Sequence, residues 1–107
     1  MPHVYEKNDL RFFVGKNARE NWQLLDNAED HDLWIHLHQH TSCYVIIENT
    51  DTIEDEDIIY GCELCKKHSK LKDKNRVKCD VLAVEHVKKG KRAGEAILLE
   101  NPKIISV

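Results

Sequence analysis

Apolar and polar positions change rhythm several times along the chain, and each rhythm predicts an element. LRFFVG (10–15) reads as a strand that Gly15 ends. NARENWQLLDNA (17–28) reads as a helix: Asn17 can cap it, Glu20 stands three residues on as a capping box requires, and Ala18, Trp22 and Leu25 share one face. DLWIHLHQH (32–40) alternates, with Leu33, Ile35 and Leu37 on one side and Trp34, His36 and His38 on the other. SCYVIIE (42–48) is a continuous apolar run, which suits a strand buried on both faces in mid-sheet.

The longest helical pattern is NTDTIEDEDIIYGCELCKKHSKLKDK (49–74). Asp51, Glu54, Asp55, Glu56 and Asp57 crowd its start, and Lys66, Lys67, Lys70, Lys72 and Lys74 crowd its end. That polarity complements the helix dipole. Ile58, Cys62, Cys65 and Ser69 fall on one stripe. RVKCDVLAVEHV (76–87) predicts a strand and KKGKRAG (88–94) its loop. EAILLE and KIISV, joined through Asn101-Pro102, predict a closing hairpin. The expected order is β-α-β-β-α-β-β-β. It implies an α+β fold with a mixed, mostly antiparallel sheet and two helices packed on one face, leaving Trp34, His36 and His38 on the open face.

The chain has 107 residues, enough for one compact domain spanning 1–107 and not for two. A formal net charge of −3 does not advertise a polyanion partner, so any nucleic-acid site has to be a local patch. No apolar run approaches the roughly 18 residues of a membrane span, and MPHVYEKNDLRFF has no signal-peptide core, so a soluble cytoplasmic protein is expected. In that setting Cys43, Cys62, Cys65 and Cys79 are expected as thiols.

Four candidate sites follow. His36, His38 and His40 occupy alternate positions that share a face in a strand, as zinc ligands do, but a decorated solvent face gives the same string. CELC places two sulfurs on the apolar stripe of a helix, which favours core packing over a zinc knuckle. Ser42 has histidines nearby but no nucleophile-elbow context. Lys88, Lys89, Lys91 and Arg92 form a basic loop able to neutralise phosphates, and Trp34 with His36 adds a platform for unpaired bases. In addition, Gly15, Lys16 and Asn17 form a glycine-to-helix corner suited to an anion.

Three segments together resemble one family. VGKNARENWQLL resembles the GRNAxxN opening of the NFACT-R domain, and DLWIHLHQHTSCYVII its DLWxH…GSHVVI block. VKCDVLAVEHVKKGKRAGEAILLENPKIISV resembles its closing segment. The matching positions are Gly15, Asn17, Ala18 and Asn21; Asp32, Trp34, His36 and Ser42; Val87, Lys88, Lys89 and Gly94. Lys16 replaces an arginine, and Thr41 and Cys43 replace a glycine and a histidine around Ser42.

The resemblance implies a non-catalytic RNA-binding module linked to translation or ribosome-associated quality control. It implies a standalone copy without cofactor or metal, and partners that include tRNA or rRNA, the ribosome or a translation factor. On this reading Lys16, Lys88, Lys89, Lys91 and Arg92 contact phosphates. Trp34 and His36 stack on or hydrogen-bond a base, with Gly15, Asn17, Asn21 and Ser42 around them. Two rivals stay open: a metalloenzyme centred on the three histidines, and a protein-docking module using Glu54, Asp55 and Glu56.

Overall fold

The first element of the structure, a computed structural model that describes residues 2–48 and 53–107, is a hairpin. Strand β1 (His3–Lys7) pairs with β2 (Leu10–Val14), with Lys7 opposite Leu10. The reversal falls on Asn8 (φ 53°) and Asp9 (φ 65°), two residue types that tolerate the left-handed backbone a two-residue hairpin loop needs. No element was expected before Leu10. The signal was present as Asn-Asp between two alternating runs.

Helix α1 (Ala18–Asn27) follows, then β3 (Leu33–Leu37), β4 (Val45–Ile47) and helix α2 (Asp55–Lys67). Strand β5 (Lys78–Ala83) leads through a 3-10 turn (Val84–His86) into β6 (Val87–Lys89), β7 (Ala96–Leu98) and β8 (Lys103–Ser106). Six strands form one sheet in the order β1-β2-β4-β3-β5-β8, and β6 with β7 forms a separate ribbon. Every pairing is antiparallel. The α+β class with a mostly antiparallel sheet is therefore as expected, and β4 lies in mid-sheet with all three residues buried.

The placement of the helices differs from expectation. They lie on opposite faces of the sheet. Leu10, Phe12, Ile35, Leu37, Val45, Ile47 and Val81 form one core with Cys62, Leu64 and Cys65 of α2. The alternate residues Trp34, Ile46 and Leu82 form a second core with Leu24 and Leu25 of α1, Val84 and Val87. A central strand that is apolar at every position has to be covered on both sides, and here it is. The face expected to be open is thus roofed by α1 and the β6–β7 ribbon.

Three further corrections concern length and pairing. The alternating strand stops at Leu37, because Gln39 turns the chain with φ 57°. Helix α2 is shorter than its pattern: its N-cap is Glu54, with Asp57 accepting the Glu54 N–H at 3.0 Å, and it ends at Lys67. Residues 49–52, including Asp51, lie outside the described residues. The closing hairpin does not form, since β7 pairs with β6 while β8 crosses to the outer edge of β5. Among the described residues no helix is long and apolar enough to cross a membrane.

Candidate nucleic-acid interface

Where β2 hands over to α1, the chain opens a cleft of about 1020 Å³ walled by β3, the turn after it and segment 92–96. The corner is built on close approach. Gly15 donates its N–H to the Tyr44 carbonyl (3.1 Å), and the Tyr44 N–H donates to Asn21 Oδ1 (3.0 Å). A Cβ on Gly15 would lie 2.1 Å from that oxygen. Gly15→Ala should therefore expel the Asn21 amide, strand a buried N–H, and cost about 1–3 kcal/mol in chemical denaturation. An alanine variant as stable as the parent would show that the corner has slack.

Asn17 caps α1, its Oδ1 accepting the Glu20 N–H at 2.9 Å, as the sequence implied. Glu20 reaches back one residue further than a capping box does, to the Lys16 N–H at 2.8 Å. The Lys16 side chain is left exposed at the cleft mouth.

Tyr44, which sequence reasoning passed over inside an apolar run, ties the far wall to the floor. Its hydroxyl donates to the Gly94 carbonyl at 2.7 Å, and burial pushes its pKa up to about 12, so it stays a neutral donor. A buried tyrosine hydroxyl requires a partner, and that was the available signal. Gly94 (φ 85°) packs so tightly on α1 that a Cβ there would sit 2.8 Å from the Ala18 Cβ. The opening and closing sequence motifs thus meet in space.

Trp34 is 1% exposed, which overturns its expected place on an open face. Its indole stacks on the His36 ring (5.5 Å between centroids, 5° between planes), and Tyr44 meets both rings edge-on. His36 is half-buried. Its Nδ1 lies 2.8 Å from the Leu37 carbonyl, an acceptor only, so Nδ1 carries the hydrogen and Nε2 is the acceptor in the neutral ring.

Burial holds the His36 imidazole below the usual histidine range, against the opposing influence of the Leu37 carbonyl and Asp80. In the unfolded chain the ring takes its proton near pH ~6.5. Below that point the unfolded chain binds more protons than the folded one. Stability should therefore fall as pH drops from about 6.5 through the folded value. His68, lowered by burial and by nearby His3 and Lys67, acts in the same direction. Urea melts at about pH 7.5 and 5.5 should show this loss, with part of it removed in His36→Gln. An identical pH slope in that variant would place the effect elsewhere.

The three histidines do not share a face. His38 lies past the strand end with Nδ1 2.7 Å from Asp80 Oδ1, and His40 is exposed in the turn. Ser42 is occupied by main chain: its hydroxyl accepts the Leu37 N–H (3.1 Å) and donates to the Cys43 carbonyl (3.0 Å). The cysteines are free thiols, with Cys62, Cys65 and Cys79 buried and the Cys43 and Cys65 sulfurs 4.0 Å apart. Among the described residues no group of three His, Cys, Asp or Glu side chains is arranged to hold a metal ion.

The basic loop is divided by the fold. Arg92 lines the cleft, as does Lys70, which sequence reasoning did not single out. Lys88 and Lys89 belong to β6, and neither they nor Lys91 reach the cleft. Lys89 pairs with Asp26 (3.0 Å) and lies over the Trp22 ring (5.3 Å). Segment 90–95 is closed on itself: Glu95 accepts the Gly90 and Lys91 N–H groups (2.8 and 2.9 Å) and the Trp22 indole N–H (3.1 Å).

Residues 1–100 match the family model described as the NFACT protein RNA binding domain. The chain belongs to this family. Within the NFACT domain so defined, the Gly15 corner, the Trp34–His36 stack and the Gly94 contact are the points at which the separate motifs converge. The chain is 31% identical over 88 residues to the Rqc2 homolog RqcH of Bacillus subtilis (strain 168), covering 80% of this chain and 15% of that protein. It also superposes with a TM-score of 0.91 on the C-terminal part of the fibronectin/fibrinogen-binding protein of Streptococcus suis. Sequence identity there is 26%, over 99% of this chain and 44% of that one.

Proposed function

We propose that this NFACT domain binds RNA in the cleft at the start of α1, walled by β3 and segment 92–96, and that it acts as a binding module rather than a catalyst. The observation that carries the reading is the convergence of the family's separated motifs on one cleft with Lys16 and Arg92 at its mouth. Of the carboxylates nearby, Asp80 bonds His38, Glu95 the Lys91 N–H and Glu20 the Lys16 N–H, while the Lys16 and Arg92 side chains are exposed, as phosphate contacts require. Lys88 and Lys91 extend a basic track outside the cleft for a longer backbone.

On this reading the domain serves translation or ribosome-associated quality control, with tRNA or rRNA as ligand and a cytoplasmic setting. The RqcH match supports that link. His36 contributes a hydrogen-bonding edge to a base. Gly15, Asn17, Asn21 and Ser42 position the cleft rather than touch RNA, since their polar groups are committed to the fold.

The test is fluorescence anisotropy with labelled tRNA and a generic single-stranded RNA across a salt series. Binding that weakens with salt supports the reading. No binding of either RNA at low salt overturns it and moves attention to protein partners, with the exposed acids Glu54, Asp55 and Glu56 of α2 as the first surface to test.

A further inference from the structure

Among the described residues, Trp34 Nε1 is the one buried side-chain polar atom without a hydrogen-bond partner. Buried N–H groups are almost always bonded, so this one requires an explanation. The contrast with Trp22 is direct, since that indole donates to the Glu95 carbonyl at 3.1 Å. Trp34 lines the cleft, and its ring is 1% exposed. The His36 ring covers one face of the indole and the Tyr44 ring meets it edge-on. A base therefore cannot stack on it as on an exposed platform. What Trp34 has left to offer a ligand is its N–H.

Around that donor the cleft supplies two complements. The neutral His36 ring spends Nδ1 on the Leu37 carbonyl and keeps Nε2 as an acceptor. At the mouth, Lys16 and Arg92 flank the N-terminus of α1, where a phosphate is favoured.

Building on the RNA reading above, we propose that the cleft accepts one unpaired nucleobase of an RNA strand. A carbonyl oxygen or ring nitrogen of the base accepts the Trp34 Nε1–H, and the adjoining phosphate sits between Lys16 and Arg92. A paired base cannot serve, because its hydrogen-bonding edge is occupied and it cannot enter the cleft floor. Nε1 is sealed from solvent in the free chain, so a base reaches it only as the cleft lining shifts, and backbone contact at the rim leaves it unchanged.

The experiment is an NMR titration of the ¹⁵N-labelled chain, following its two indole signals, assigned with Trp22→Phe. The probes are short single strands of uridine, cytidine or adenosine and a duplex RNA of equal length, with anisotropy run in parallel. The expected result is a shift of the Trp34 indole signal with at least one single strand and not with the duplex. Trp34→Phe, which keeps an aromatic ring, should weaken that strand about tenfold and leave the salt slope unchanged. Should the variant not fold, the wild-type titration decides alone. RNA binding with a stationary Trp34 signal overturns the base pocket while the RNA reading stands. A shift with duplex overturns the requirement for an unpaired base. Absence of binding to any RNA fails the underlying reading first.

Discussion

Trp34→Ala should remove about 3–5 kcal/mol of folding stability, the usual cost of deleting a fully buried large aromatic side chain. Trp34 sits in the core formed by Leu24, Leu25, Tyr44, Ile46 and Leu82, beneath α1. Its loss leaves a cavity at the centre of that layer and frees the His36 and Tyr44 rings that pack against it. A domain of this size is typically stable by only about 5–15 kcal/mol, so the variant should be partly unfolded at ambient temperature or close to it. Urea denaturation followed by far-UV circular dichroism measures the loss. A change below about 1 kcal/mol would mean that the layer beneath α1 collapses around the gap, and the second core would have to be redrawn. The same number bears on function: weakened RNA binding by Trp34→Ala carries no information about contact until stability has been measured. Trp34→Phe is the variant to use for binding.

The second large effect concerns charge. Lys16→Ala combined with Arg92→Ala should weaken RNA binding by about tenfold or more, because both cations stand at the cleft mouth and charged hydrogen bonds to phosphate are among the stronger polar contacts. Loss of the one phosphate held between them should also flatten the plot of log affinity against log salt by about 0.7 for a single strand. The comparison is Lys88→Ala, Lys89→Ala and Lys91→Ala together. These three flank the cleft without lining it, and Lys89 is already paired with Asp26. The triple variant should lose less affinity for a short strand than the double variant, and more for a longer RNA that follows the outer track. The reverse ranking on a short strand would move the phosphate site from the cleft to the ribbon. Anisotropy over the salt series used for the wild type gives both quantities.

Much of the local structure was legible in the chain. Asn17 was readable as a cap because a short polar side chain before an amphipathic run has few other uses. The mid-sheet position of β4 was readable from its unbroken apolar run. The burial of Cys62 and Cys65 followed from their place on the stripe of α2, and the core confirms it. Other features were hidden for identifiable reasons. Strand β1 is mostly exposed, so its alternation carried little hydrophobic signal. The His36, His38 and His40 series looked like one face because nothing in its residue types marks the turn at Gln39. The last two strands are adjacent in sequence and lie beside different partners, since β8 is needed to cover the open edge of β5.

The candidate site was half legible. Gly15, Lys16, Asn17, Asn21, Trp34, His36, Ser42 and Arg92 were named from the sequence and do line one cleft. Lys88, Lys89 and Lys91 were named with them and do not. Lys70 was not named with them and does, and Tyr44, also not named, holds the cleft wall through its bond to the Gly94 carbonyl.

By itself the sequence determined the periodicities, the caps, the central buried strand and the set of motifs that mark the family. These depend on residue type and near-neighbour spacing, which are written in the chain. Only the tertiary structure decided that Trp34 faces inward beneath α1, that Gly94 meets Ala18, and that the basic loop divides between cleft and ribbon. Which face of a sheet is roofed depends on contacts between segments far apart in sequence, and the alternation of a strand is the same whether its second face meets water or a helix.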